Sequence, residues 1–140
     1  MSPELAAVAT TFDLVAPRGD ELMDEFYARL FELAPSARPL FPDDLQGQKA
    51  KLLATLVLVR RSLDDLDSLA ARLRLLGARH VAYGAMPEHY AVVGDALVDA
   101  LAAIVGEEWT AEHERAWRAA VGVIAGFMLE GAAEAGGRGR

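Results

Sequence analysis

Two histidines and a tyrosine, His80, His89 and Tyr90, fall in one short stretch. It joins two long Ala/Leu-rich segments through Gly84-Ala85-Met86-Pro87. An imidazole at the end of one helix, with a second apolar helix opening a few residues later, could hold a metal inside an all-helical core. A surface or internally satisfied role is the commoner fate of an arbitrary histidine. The third, His113, sits in Thr110-Ala111-Glu112-His113-Glu114 and reads as a solvated first-turn residue. The three lack zinc-ligand spacing. The chain has no cysteine, so disulfides, thiolate zinc sites, iron–sulfur clusters and cysteine nucleophiles drop out. Any metal must be held by His, Asp or Glu. Two more polar side chains share apolar faces: Tyr27 near Met23 and Phe31, and Gln48 one turn before Leu52.

The elements that must position these groups are helical. Ser2-Pro3 is a hydroxyl cap followed by proline at the first helical position. Leu5, Val8, Phe12 and Val15 then recur at helical spacing. Pro17-Arg18-Gly19-Asp20 breaks this helix, and Asp20 is placed to cap the next, from about Glu21 to Leu33. Leu22, Phe26, Arg29 and Leu30 share one side of it; Met23, Tyr27 and Phe31 share a neighbouring side. Leu40-Phe41, with a proline on either side, makes a turn-rich corner. A third long helix is expected over about Leu45 to Leu63, a fourth over Leu69 to Arg79, and a fifth from Pro87 to a stop at Gly106. Thr110 caps the last, which carries Trp117, Val121, Ile124 and Met128. No period-two alternation dominates. The expectation is an all-α single domain over residues 1–140, with six to eight helices, short connections and a frayed tail over residues 135–140.

Composition narrows the partners. A length of 140 residues supports one sizeable core. An apolar share of 53% excludes a disordered chain. The formal charge of −7 argues against nucleic acid or an anionic membrane surface as the main partner. No secretory signal is read at Met1-Ser2-Pro3-Glu4-Leu5, and no continuous apolar run reaches the length of a membrane span. A cytoplasmic protein is expected.

The order and spacing of several pieces now carry a resemblance. They are Phe26-Tyr27, Arg38-Pro39-Leu40-Phe41, Gln48 with Leu52, Arg79-His80-Val81-Ala82-Tyr83-Gly84, Pro87-Glu88-His89-Tyr90 with Val93-Gly94, and Ala116-Trp117 with Gly122-Val123-Ile124-Ala125. Over nearly its whole length the sequence resembles the bacterial globins, meaning single-domain haemoglobins and the globin part of flavohaemoglobins. The resemblance implies a globin fold around haem b. His80 matches the proximal ligand to iron, an imidazole that leaves the opposite axial face open. Phe41 matches the aromatic that stacks on the porphyrin. Tyr27 and Gln48 match the distal pair that hydrogen-bonds a diatomic ligand, with Leu52 as an apolar lid. Tyr90, Val93 and Ile124 complete the pocket, and His89, next to Tyr90, points elsewhere.

One family feature is missing. Tyr90 should act with a glutamate on the last helix to polarise the proximal imidazole. Counting from Trp117 puts Ala132 at that position. Glu130 and Glu134 flank it, but two residues along a helix is about 200° of rotation. That gap weakens a peroxidase-like role and leaves reversible binding of oxygen, nitric oxide or carbon monoxide as the first expectation. The alternative is nitric oxide dioxygenation, in which oxygen and nitric oxide give nitrate and ferric haem. Each cycle then needs an electron, and no Gly-rich dinucleotide motif occurs in the 140 residues, so the donor would be a separate reductase. A haem-based gas sensor or interaction module is a third reading, and a homodimer stays open.

Overall fold

The computed structural model describes residues 2–82 and 87–138. Among these, all regular structure is helical, as expected. Six α-helices run α1 (Pro3–Val15), α2 (Gly19–Leu33), α3 (Gln46–Arg61), α4 (Leu66–Ala82), α5 (Pro87–Val105) and α6 (Ala111–Arg138). Short 3-10 turns fill Ala16–Arg18, Pro35–Leu40 and Gly106–Glu108.

Helix ends follow local chemistry, with three departures from expectation. Ser2 caps α1 by accepting the Leu5 N–H at 3.2 Å, and Gly106 closes α5 at φ 72°, a left-handed conformation that glycine adopts without steric cost. Asp20 is not a cap. The 3-10 turn over Ala16–Arg18 lets α2 begin at Gly19, so Asp20 lies in its first turn. The fourth helix is longer than predicted, running from Leu66 to Ala82. At the other end α6 continues as helix to Arg138, through Gly136 and Gly137, where fraying was expected.

The core is built where α2 packs on α5, α4 on α6, and α1 across α5 and α6. Leu22, Met23, Leu73, Val98 and Leu101 are fully buried in it. By length and mean hydropathy alone, Glu88–Glu108 and Ala111–Ala135 could cross a membrane. Polar residues interrupt both, so neither stands out as an unbroken apolar run in the sequence. In the fold the two helices pack on each other and on α1, α2 and α4.

The α4–α6 crossing is unusually intimate. A Cβ built on Gly77 would lie 1.9 Å from the Met128 carbonyl oxygen; one built on Gly131 would lie 1.8 Å from that of Arg74. The two backbones touch through a reciprocal pair of glycines, with His80 one turn beyond Gly77. By contrast α3 is tied mainly to α2 and α1, and among the described residues it does not pack extensively on α4. The helices that carry Gln48 and His80 therefore stand apart.

Candidate functional site

On one side of that separation lies an aromatic cluster. Tyr27 is only 4% exposed. Its ring meets Phe26 edge-on at 4.9 Å between centroids, Phe41 edge-on at 5.8 Å and Phe31 at 5.9 Å, within the range of favourable aromatic pairs. The Tyr27 hydroxyl shares a hydrogen bond with the Gln48 side chain, which joins α2 to α3. Gln48 is half-buried. Leu52, one turn on, is half-buried against the core.

Burial of the Tyr27 phenol pushes its pKa up to about 12, and the Gln48 bond works against this. Because the folded pKa lies above the ordinary value of about 10, the stability this group contributes is fully present below pH ~10 and is lost as pH rises toward 12. Alkaline unfolding followed by circular dichroism should show a steeper decline above pH ~10 for the native chain than for Tyr27→Phe. Parallel declines would remove Tyr27 from its buried setting.

Phe41 is held by Arg38, to which the sequence alone assigns no role. Arg38 donates to the carbonyl oxygens of Phe41 (3.3 Å), Pro42 (2.9 Å) and Asp43 (3.1 Å), and its guanidinium lies 5.1 Å from the Phe31 ring centre. One side chain thus folds the corner over and stacks on the aromatic cluster. Its only sequence signal is an arginine between two turns.

On the other side, His80 lies in the last turn of α4, half-buried. Its Nδ1 is 2.8 Å from the Leu76 carbonyl oxygen one turn earlier. A carbonyl can only accept, so Nδ1 is the donor in this bond. That bond orients the ring, as an outer hydrogen bond does for a metal-ligating histidine.

Tyr90, in the first turn of α5, is half-buried, and burial raises its phenol pKa. Val93 on α5 and Ile124 on α6 are half-buried against the core. Ala132 is half-buried, while Glu130 and Glu134 are exposed. Glu130 accepts from Arg74 at 2.9 Å on the α4–α6 surface. Neither flanking glutamate is buried in the interior.

His89, in the first turn of α5, is half-buried. His113, expected to be solvated, is also half-buried, in a reciprocal capping box: its N–H donates to Thr110 Oγ1 and its Nδ1 accepts the Thr110 N–H, each at 3.2 Å. The box places a histidine where glutamate or glutamine usually stands, so the motif is masked in the sequence.

Residues 24–128, about three quarters of the chain, match the globin family model. This chain is a globin. The flavohemoprotein of Bordetella pertussis is 33% identical over 133 residues, which cover 92% of this chain and 33% of the relative. The globin thus spans about a third of the length of the curated relatives it matches. A bacterial globin from Campylobacter jejuni superposes with a TM-score of 0.83 over 96% of this chain and 97% of that one, at 22% identity. An engineered carbene transferase, made from a proposed nitric oxide dioxygenase of Rhodothermus marinus, gives 0.84 over 96% and 94%, at 25% identity.

Haem binding is expected of a globin, and the residues fit it. A bare metal ion calls for three or four protein ligands, and no group of three or more His, Cys, Asp or Glu able to hold one occurs among the described residues. A porphyrin brings its own equatorial nitrogens and asks one imidazole of the protein. His80, with its Nδ1 held by the Leu76 carbonyl, would supply that ligand. Phe41, Leu52, Val93 and Ile124, all half-buried apolar groups from separate elements, would pack against the macrocycle.

Proposed function

We propose that this globin binds haem b through His80 and uses it to bind oxygen and other diatomic gases reversibly. The observation that carries the reading is the buried Tyr27 phenol, bonded to Gln48 in a shell of aromatic rings. Bound haem would supply an iron able to take a small diatomic ligand. Everything else is the work of the chain. Tyr27 presents an O–H to a ligand atom that has gained partial negative charge. Gln48 holds the phenol in place and serves as a second donor. Leu52 keeps water from competing. A hydrogen bond of this kind is worth about 0.5–1.5 kcal/mol net, or roughly one order of magnitude in affinity.

Replacing Tyr27 by Phe should therefore speed oxygen release about tenfold in stopped-flow measurements, with a much smaller effect on carbon monoxide, which polarises less. An unaltered oxygen release rate would remove Tyr27 from the site.

The similarity to flavohemoproteins supports a second role, nitric oxide dioxygenation with a separate reductase as electron donor. Ala132 in place of the family glutamate favours binding over redox turnover. Mixing the oxygenated protein with nitric oxide and a generic reductase separates the two. One stoichiometric burst of nitrate is expected; sustained turnover would make the dioxygenase the primary role. We propose a cytoplasmic location for the protein.

A further inference from the structure

Helix α3 is held in an unusual way. It does not close against α2 along its length; a groove of about 850 Å³ runs between them, floored by Met23, Leu53, Val57 and Leu58. Ion pairs tie its two ends instead. Near its N-terminus, Lys49 Nζ sits 2.8 Å from Asp24 Oδ1 on α2. Near its C-terminus, two guanidinium nitrogens of Arg60 each lie 2.9 Å from an Asp13 carboxylate oxygen on α1.

The first pair stands beside the proposed ligand donors on both helices. Asp24 is three residues before Tyr27, about one turn away on α2. Lys49 directly follows Gln48 and projects about 100° away from it, out of the site and toward α2. The Tyr27–Gln48 hydrogen bond and the Asp24–Lys49 ion pair are thus two rungs between the same two helix turns. The Lys49 side chain is 22% exposed and that of Asp24 68%, so the outer rung is open to ions.

We propose that the Lys49–Asp24 ion pair is a positioning latch: it sets how closely α3 approaches α2 at the Tyr27–Gln48 turn, and thereby makes ligand release sensitive to ionic strength. The proposal rests on the reading of Tyr27 and Gln48 as ligand donors. Neither Lys49 nor Asp24 touches the ligand in this scheme. A single exposed ion pair is weak and screened by salt, so the expected effects are a few-fold.

Three variants test it: Lys49→Gln, Asp24→Asn, and the exchange in which Asp24→Lys is combined with Lys49→Asp. Two readouts are needed. In the purified protein, the nuclear Overhauser contact between the Tyr27 ring and the Gln48 amide should weaken at least about twofold in each single variant and return in the exchange. In the haem-loaded protein, oxygen release should quicken about two- to fivefold in the single variants and recover in the exchange. The native protein should release oxygen faster as salt is raised, whereas Lys49→Gln should not respond. An unchanged Tyr27–Gln48 contact in the single variants would overturn the latch, as would single-variant effects that the exchange fails to restore. A contact that weakens and recovers while release stays constant would uphold the latch and sink the assignment of Tyr27 and Gln48 as donors.

Discussion

Replacing His80 by alanine should abolish the axial coordination band of the haem-loaded protein and weaken haemin retention by more than the 10- to 100-fold typical of losing a residue that merely orients a ligand. The argument rests on one bond. His80 Nδ1 is committed to the Leu76 carbonyl at 2.8 Å, so Nε2 is the ring nitrogen that would take the iron. His89 and His113 are poor substitutes: His89 opens α5, and His113 sits in a capping box in the first turn of α6. Alanine leaves a gap the size of an imidazole, so millimolar free imidazole should restore the spectrum of the variant. Haem retained with an unchanged spectrum in His80→Ala would refute the assignment, whatever the protein's affinity for gases.

The second large effect concerns the scaffold. Gly77→Ala or Gly131→Ala should each destabilise the fold by about 3 kcal/mol or more, at or beyond the upper end of ordinary overpacking. An added Cβ would sit 1.9 Å from the Met128 carbonyl oxygen or 1.8 Å from that of Arg74. The obstructing atoms are backbone, so no side chain can rotate away; α4 and α6 must part. Alanine's better helix propensity returns only about 1 kcal/mol. The loss is a large share of the roughly 5–15 kcal/mol that a domain has. Gly126 on the same helix is the control. A Cβ there meets nothing within 4 Å, so Gly126→Ala should be neutral or stabilising by about 0.5–1 kcal/mol. Urea unfolding of the three variants checks the contrast. Equal stabilities would mean that α4 and α6 do not cross as described. Parting these helices also shifts His80, so the two scaffold variants should bind haem less well even where they fold.

Much of this was legible in the sequence because the signals are local. The apolar neighbours of Tyr27 on α2 give its inward direction, and the prolines around Leu40-Phe41 mark the corner. The order of His80, a Gly/Pro break and Tyr90 identifies the family that the match over residues 24–128 shows. What was not legible depends on distant partners or on substitutes for familiar residues. Gln46 and Gln48 share one polar turn, and only the approach of α2 distinguishes the one that meets Tyr27. Gly77 reads as a weak point in an Ala/Leu-rich helix until Met128 is seen against it. Arg38 reveals its purpose only when three carbonyl oxygens converge on it. The His113 capping box is local, but a histidine there does not match the usual pattern. Asp20 misled for a different reason: a 3-10 turn carries the chain from α1 into α2, leaving no free cap position at residue 20.

The central claim is that this chain is a haem globin with His80 on the iron, and the most direct measurement is an absorption titration of the purified protein with haemin. The account predicts an intense Soret band that saturates at one haem per chain. On reduction under carbon monoxide, the band should shift to the position of a histidine-ligated carbonyl complex, and His80→Ala should fail to reproduce it. A titration with no saturable Soret band, or one that is identical in His80→Ala, would contradict the account.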